Sequence, residues 1–219
     1  DLPAEGDSSM IAALFVATDG CYLNLDGADP WDEARDARKY AGPHPVVAHP
    51  PCARWCKLAG FVEHVYPGRF KKGDDGGCFA SALASVRKWG GVLEHPKGSA
   101  AWAAHGLIEP PRWGGWVVAD WQGGWTCCVE HGAYGHKARK ATWLYAHSVE
   151  FPSLFWGPAK GDFQWVSWLE HNTPEGRRRA IRTGVVQRQS KKQRAATPHA
   201  FRNLLLSIAR TAQPMRDAA

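Results

Sequence analysis

Apolar positions in this chain come in short runs cut by turn residues, not in one long amphipathic pattern. Ile11-Ala12-Ala13-Leu14-Phe15-Val16 is continuous and apolar, and the chain turns polar at Asp19-Gly20. Such a run reads as a strand covered on both sides and entering a tight turn. Residues 32–40, with Pro30 ahead and Gly42 behind, carry helix signals. Pro45-Val46-Val47-Ala48 is a second buried strand, ended by Pro50-Pro51. Residues 76–89 read as a helix, since Phe79, Leu83, Val86 and Trp89 fall close to one face and Gly90-Gly91 close it. Val92-Leu93-Glu94 follows as a third strand, stopped by Pro96.

The second half is less regular. Residues 112–125 are dense in Gly and Trp. Val117-Val118-Ala119-Asp120 and Trp143-Leu144-Tyr145 read as strands that pair antiparallel at a sheet edge. Residues 151–168 are aromatic and broken by Gly and Pro, which predicts loop. Thr197-Pro198 opens a last helix whose apolar face carries Phe201, Leu204, Leu205, Ile208 and Ala209. No internal repeat is visible.

Strand–helix–strand alternation predicts an α/β fold: a mostly parallel, Rossmann-like sheet flanked by helices, with an antiparallel edge. In such sheets ligands bind beyond the carboxyl ends of the strands. Asp19-Gly20, Pro51-Cys52 and Glu94-His95-Pro96 all fall at strand ends, so three polar motifs converge on one edge. The predicted organisation is an arm or leftover segment at 1–9, a core at 10–170, a basic loop at 171–196 and a helix at 197–219 packing on the core.

Composition narrows the class. The chain has 219 residues, 44% of them hydrophobic, enough for one sizeable core. No apolar run reaches membrane-spanning length, and no secretory signal is visible, so a cytoplasmic location is expected. Six cysteines in so long a chain suit reduced thiols better than a disulfide scaffold. Twelve tryptophans fill core or loops, and some could stack on bases. The net charge of +6 is local: Arg177, Arg178, Arg179, Arg182, Arg188, Lys191, Lys192 and Arg194 face one nearby acid, Glu175. A solvated loop and a polyanion-binding patch explain that run equally well.

Three motifs could carry chemistry. Cys52 follows His49-Pro50-Pro51, and the prolines fix the point from which its thiol projects. A thiolate held there can add to an electron-poor double bond; the plain alternative is a buried structural cysteine. Glu94 opens Glu94-His95-Pro96, and a carboxyl beside a nucleophilic thiol can hold or protonate a base; the alternative is an acid facing water. Residues 134–142 carry His136, Lys137, Arg139 and Lys140, of which one or two could point into a cleft.

These motifs, in this order, resemble the DNA cytosine-5 methyltransferases, and more closely the small phage-encoded methyltransferase-like proteins. The resemblance spans residues 13–145 and the terminal helix. It rests on His-Pro-Pro-Cys, Glu-x-Pro and a Tyr-Gly-His-x-x-x-Lys-x-Thr-x-Leu-Tyr-like element. It implies a shortened methyltransferase-like core and modification of a pyrimidine base, cytosine C5 in DNA first of all. Cys52 would be the nucleophile and Glu94 the acid that holds the base. Arg139 would be the basic partner, with Pro51, His95, His136 and Lys140 lining the substrate. It also implies S-adenosylmethionine as cofactor, near Asp19, Gly20 and Asp36. Where the family has Phe-x-Gly-x-Gly-Gly, this chain reads Phe15-Val16-Ala17-Thr18-Asp19-Gly20, and only Gly20 matches. DNA would be the partner, held by the basic run, and a host cytoplasm the location if the protein is phage-encoded. Two rivals stay open: a degenerate methyltransferase-like domain that only binds nucleic acid, and an enzyme acting on free pyrimidine nucleotides. Cys52, Cys56, Cys127, Cys128, His131 and His136 are too loosely spaced to predict a structural metal, and none is expected.

Overall fold

The runs without a polar face pair in parallel, where both sides of a sheet are covered. β1 (Ile11–Leu14), β2 (Ala28–Trp31), β3 (Val46–Ala48) and β4 (Gly91–Pro96) form this half, with β1 between β2 and β3 and with β4 beyond β3. The other half is antiparallel. β5 (Val117–Val118), β6 (Trp125–Glu130) and β7 (Ala141–His147) follow, and β7 lies between β4 and β6, antiparallel to both. The sheet order is β2-β1-β3-β4-β7-β6-β5. The fold is thus α/β, with a mixed seven-stranded sheet, parallel at one end and antiparallel at the other. The computed structural model describes residues 10–161, 163–164, 173–183 and 190–213. The expected arm at 1–9 lies outside them.

Alternation along the strands sends neighbouring side chains to opposite faces. On one face Leu14, Val46, Ala48 and Leu93 pack with Trp102 of α3 (Ala101–Ala104) and with Phe79, Ala82, Leu83 and Val86 of α2 (Cys78–Trp89). A short α1 (Ala59–Val65) precedes α2. On the other face Ile11, Ala13, Val47, Val92 and Leu144 meet Phe201, Leu205, Leu206, Ile208 and Ala209 of α6 (His199–Arg210). Close approach of β3 and β4 requires a glycine at 91: a Cβ there would sit 1.9 Å from the Val46 carbonyl oxygen.

Several expectations change. Residues 32–40 form turns and one 3-10 turn, Ala37–Lys39, because Asp36 before it adopts φ 53°, left-handed backbone that cannot propagate a helix. β2 was not anticipated, since Pro30 argues against a strand; β2 is an edge strand, where a missing donor is tolerated. The basic segment, expected as loop, contains α4 (Pro174–Thr183) and α5 (Lys191–Ala195). No helix among the described residues is long and apolar enough to cross a membrane.

Phe201 is fully enclosed and lies against the His131 and Tyr134 rings, with centroids 4.1 and 5.2 Å away. Phe201→Ala should therefore lower unfolding free energy by about 3–5 kcal/mol, the usual cost of emptying such a site. Equilibrium urea unfolding measures it; a loss under about 1 kcal/mol would mean that α6 is not integral to the core.

Candidate active site

Register places the first two groups. Ala48 pairs with Leu93, so His49 and Glu94 come next on adjacent parallel strands. The strand order reverses around β1, with β2 on one side and β3 on the other, and crevices at such reversals are the ordinary ligand sites of open α/β sheets. Because β7 runs backwards, its first residues reach the same edge: Thr142 pairs with Pro96.

Glu94 points to the α6 face and keeps 10% of its side chain exposed. His49 Nδ1 donates to its Oε2 at 3.1 Å, while Tyr22 Oη donates to His49 Nε2 at 2.9 Å. The Thr142 hydroxyl reaches both Glu94 Oε1 and the His95 carbonyl oxygen. His131 Nε2 approaches Oε1 to 3.4 Å, too poorly aligned for a hydrogen bond but close enough to polarise it. Burial alone would raise the Glu94 carboxyl; the contacts with His131 and His49 overcome it and hold the group well below the usual carboxylate range. Glu94 is therefore ionised at neutral pH. Burial pushes His131 down to about 4, against the pull of Glu94, so it is neutral there.

Cys52 lies three residues beyond His49 on the same loop and is accessible. Its carbonyl accepts from Trp55 N at 3.0 Å, and Trp55 is itself fixed: Nε1 donates to Asp75 at 2.8 Å and its carbonyl accepts from Ala100 N at 2.9 Å. Crowding of the sulphur raises the Cys52 thiol most, the Glu94 charge raises it further, and the Lys140 ammonium opposes both. Burial lowers the Lys140 ammonium, with Glu94 and Cys52 pulling the other way. Charge at Glu94 thus acts on both Cys52 and Lys140, which also act on each other. Lys140, at φ 44°, also donates to the carbonyls of Ala195 and Ala196 at 3.4 and 3.2 Å, which ties the end of α5 to the site.

The other expected residues are dispersed. Pro51 is exposed on the Cys52 loop. Arg139 is exposed and lies over the Phe163 ring at 5.8 Å. His95 alternates away from Glu94 to the α2 face, fully buried by Phe79 and Trp102. The Pro50 and Pro51 carbonyls act on its ring, yet neither ring nitrogen makes a well-aligned hydrogen bond. Burial lowers it to about 4. His136 is buried and accepts from Ala138 N at 2.9 Å, with Nε2 3.2 Å from the Gln193 carbonyl, a second tie to α5.

Asp36 is engaged by Arg38, at 2.7 and 3.0 Å. Gly20 N closes a turn on Ala17 O at 2.9 Å, and a Cβ on Gly20 would stand 2.8 Å from that oxygen. Asp19 is exposed in the same turn. As they stand, these three residues do not form a cradle that fits S-adenosylmethionine. Arg178 and Arg182 are exposed on α4, which also contains Arg177 and Arg179. Lys191 and Lys192 belong to α5, and Arg188 lies outside the described residues. Cys127 and Cys128 face opposite sides of β6, and among the described residues no three His, Cys, Asp or Glu form a metal-holding group.

Sequence reasoning gave no role to Tyr22, His49, His131 or Thr142. His49 stood in the quoted Pro-Pro-Cys stretch and Thr142 in the basic motif; Tyr22 carried no signal. Compared with protein-family models, curated proteins and solved structures, the chain matches none.

Two outcomes follow from these charges. His95 and His131 sit at about 4 in the fold against an ordinary 6.5. Between those values the unfolded chain binds protons that the fold does not, so stability falls as pH drops from 6.5 toward 4. Each ring contributes up to about 1.4 kcal/mol per pH unit within that window. His95→Phe should remove one ring's share, measured by urea unfolding at pH 7, 5.5 and 4.5. An unchanged slope would mean that His95 takes up a proton inside the fold. Separately, Glu94→Gln removes a charge that raises Cys52. Alkylation of Cys52 by iodoacetamide near pH 7.5 should accelerate, because more of the thiol is then ionised. Equal rates would place Cys52 outside the influence of Glu94.

Proposed function

We propose that the protein modifies a pyrimidine base at C5, cytosine in DNA first of all, with Cys52 as nucleophile. The observation that carries this reading is the strand register that sets the loop of the accessible Cys52 beside the buried Glu94, with His49 of that loop 3.1 Å from the carboxylate.

The Cys52 thiolate forms a bond to C6, and the C5=C6 π electrons move to C5. Glu94, ionised at rest, acts as an acceptor: it takes a hydrogen bond from the cytosine amino group and stabilises on N3 the proton that leaves the Cys52 thiol, which withdraws electrons from C6. That pairing also screens the Glu94 charge that raises the thiol, so an arriving base activates its own nucleophile. His49, held between Tyr22 and Glu94, keeps the carboxylate aimed. Lys140 stabilises the thiolate. C5 then forms a bond to a one-carbon electrophile, whose leaving group departs with its electron pair. Loss of the C5 proton to water and expulsion of the Cys52 sulphur, which takes back the N3 proton, restore the double bond. S-adenosylmethionine is the donor implied by the sequence resemblance, and no step here depends on it. A base in duplex DNA must leave the stack to reach this edge. The basic α4 and α5 would meet its phosphates.

The first half of this chemistry needs no donor. In D2O the addition lets C5 take a deuteron, and reversal leaves deuterium in place of hydrogen. Incubation of cytosine-containing DNA, followed by mass spectrometry of the nucleosides, should show gain of one mass unit on deoxycytidine. Cys52→Ser should abolish it, and Glu94→Gln should slow it by about 100-fold or more, as for loss of a positioned polar catalyst. Absence of exchange in DNA, RNA and free nucleotides alike would reject the reading.

A further inference from the structure

Two residues past Cys52 the chain opens a second cavity, of about 430 Å³, separate from the Glu94 edge. It is lined by Arg54, Arg69 and Lys71, with Glu63 and Asp74 as the opposing charges and Phe70, Pro67 and Gly68 as the neutral wall. None of the three cations forms an ion pair among the described residues. Arg54 is held in place rather than free. Its guanidinium lies over the Phe70 ring at 3.9 Å, and its carbonyl accepts from Gly73 N at 2.9 Å. Nη1 is nevertheless enclosed and has no hydrogen-bond partner. An arginine nitrogen withdrawn from water without an acceptor is costly unless an acceptor arrives with a ligand. A planar guanidinium fixed against an aromatic face, beside two further unpaired cations, suits an oxyanion with several oxygens.

We infer that this cleft binds a phosphate group of the nucleotide that carries the base, with Arg54 as its fixed donor and Arg69 and Lys71 at its mouth. The inference rests on the reading of Cys52 as a base-directed nucleophile, and it assigns that reading a substrate contact apart from α4 and α5. Because Arg54 and Cys52 share one loop, fixing the phosphate would also fix the thiol over the ring.

The phosphate could be a diester within a strand or the monoester of a free nucleotide, and the experiment separates them. Fluorescence anisotropy is measured on a cytosine-containing 12-mer, on the same 12-mer with one uncharged methylphosphonate linkage next to the cytosine, and by competition with dCMP. Arg54→Ala should weaken whichever of these ligands fills the cleft by about tenfold or more, the usual value of a charge-assisted hydrogen bond. For a diester site the methylphosphonate should cost the wild type a similar factor and Arg54→Ala little more, since both changes remove one contact. For a monoester site Arg54→Ala should weaken dCMP by that factor and leave the two oligonucleotides alike. Arg69→Ala and Lys71→Ala alter exposed side chains and keep the question answerable if Arg54→Ala unfolds. Each should weaken the same ligand by a few-fold. Unchanged binding of all three ligands in all three variants overturns the inference. Deuterium exchange on the same samples tests the parent reading by itself. Exchange with unaltered binding rejects only the cleft, and cleft-dependent binding without exchange rejects only the chemistry.

Discussion

A carboxylate inside a sheet must be met by donors from every side, and Glu94 is the point on which this molecule's architecture turns. His49 donates from the end of the adjacent parallel strand and Thr142 from the antiparallel strand on the other side, while the His131 ring, from the turn that joins β6 to β7, lies 3.4 Å away without donating. Tyr22 reaches in behind His49 from the loop after β1. Each donor arrives by a different segment, so the charge is tolerated only when those segments are docked together. Removing one donor leaves a buried charge undersatisfied, a far larger penalty than the bond itself returns.

That arrangement also sets the chemistry available at the edge. The negative charge is held by hydrogen bonds from His49 and Thr142, and it still acts on its surroundings. Cys52 and Lys140 both feel it, in opposite senses. The resting thiol is therefore held back, and whatever hydrogen-bonds to Glu94 relieves it. Lys140 couples the same edge to α5 through the Ala195 and Ala196 carbonyls, and His136 adds a tie at Gln193. The end of α5 is thus moored at Lys140 and His136.

That the ends of β3 and β4 lie side by side was legible, because both apolar runs are stopped by proline and strand ends in a parallel sheet gather at one edge. The polar network was not. A histidine before two prolines reads as part of a turn, and its partner lies 45 positions away, visible only once Ala48 is set against Leu93. His95 was misassigned for a related reason: proximity in sequence to Glu94 hides the alternation that sends it to the other face. β2 escaped notice because Pro30 argues against a strand unless that strand is known to be an edge. The short helix expected at residues 32–40 failed at one left-handed residue, Asp36, which hydrophobic periodicity does not register.

The position of α6 has a consequence for how the chain is made. Its apolar face covers Ile11, Val47 and Val92, and Arg202 reaches back across 181 positions to the Cys21 carbonyl at 2.6 Å. On the ribosome the parallel strands emerge long before this cover exists. Until then one side of the nascent sheet is bare hydrocarbon, a surface prone to sticking to other chains. Contacts of such long range are late and slow to close. The parallel half of the sheet therefore waits, partly assembled, for a helix made long after it, and it is in that interval that a holding chaperone would matter most.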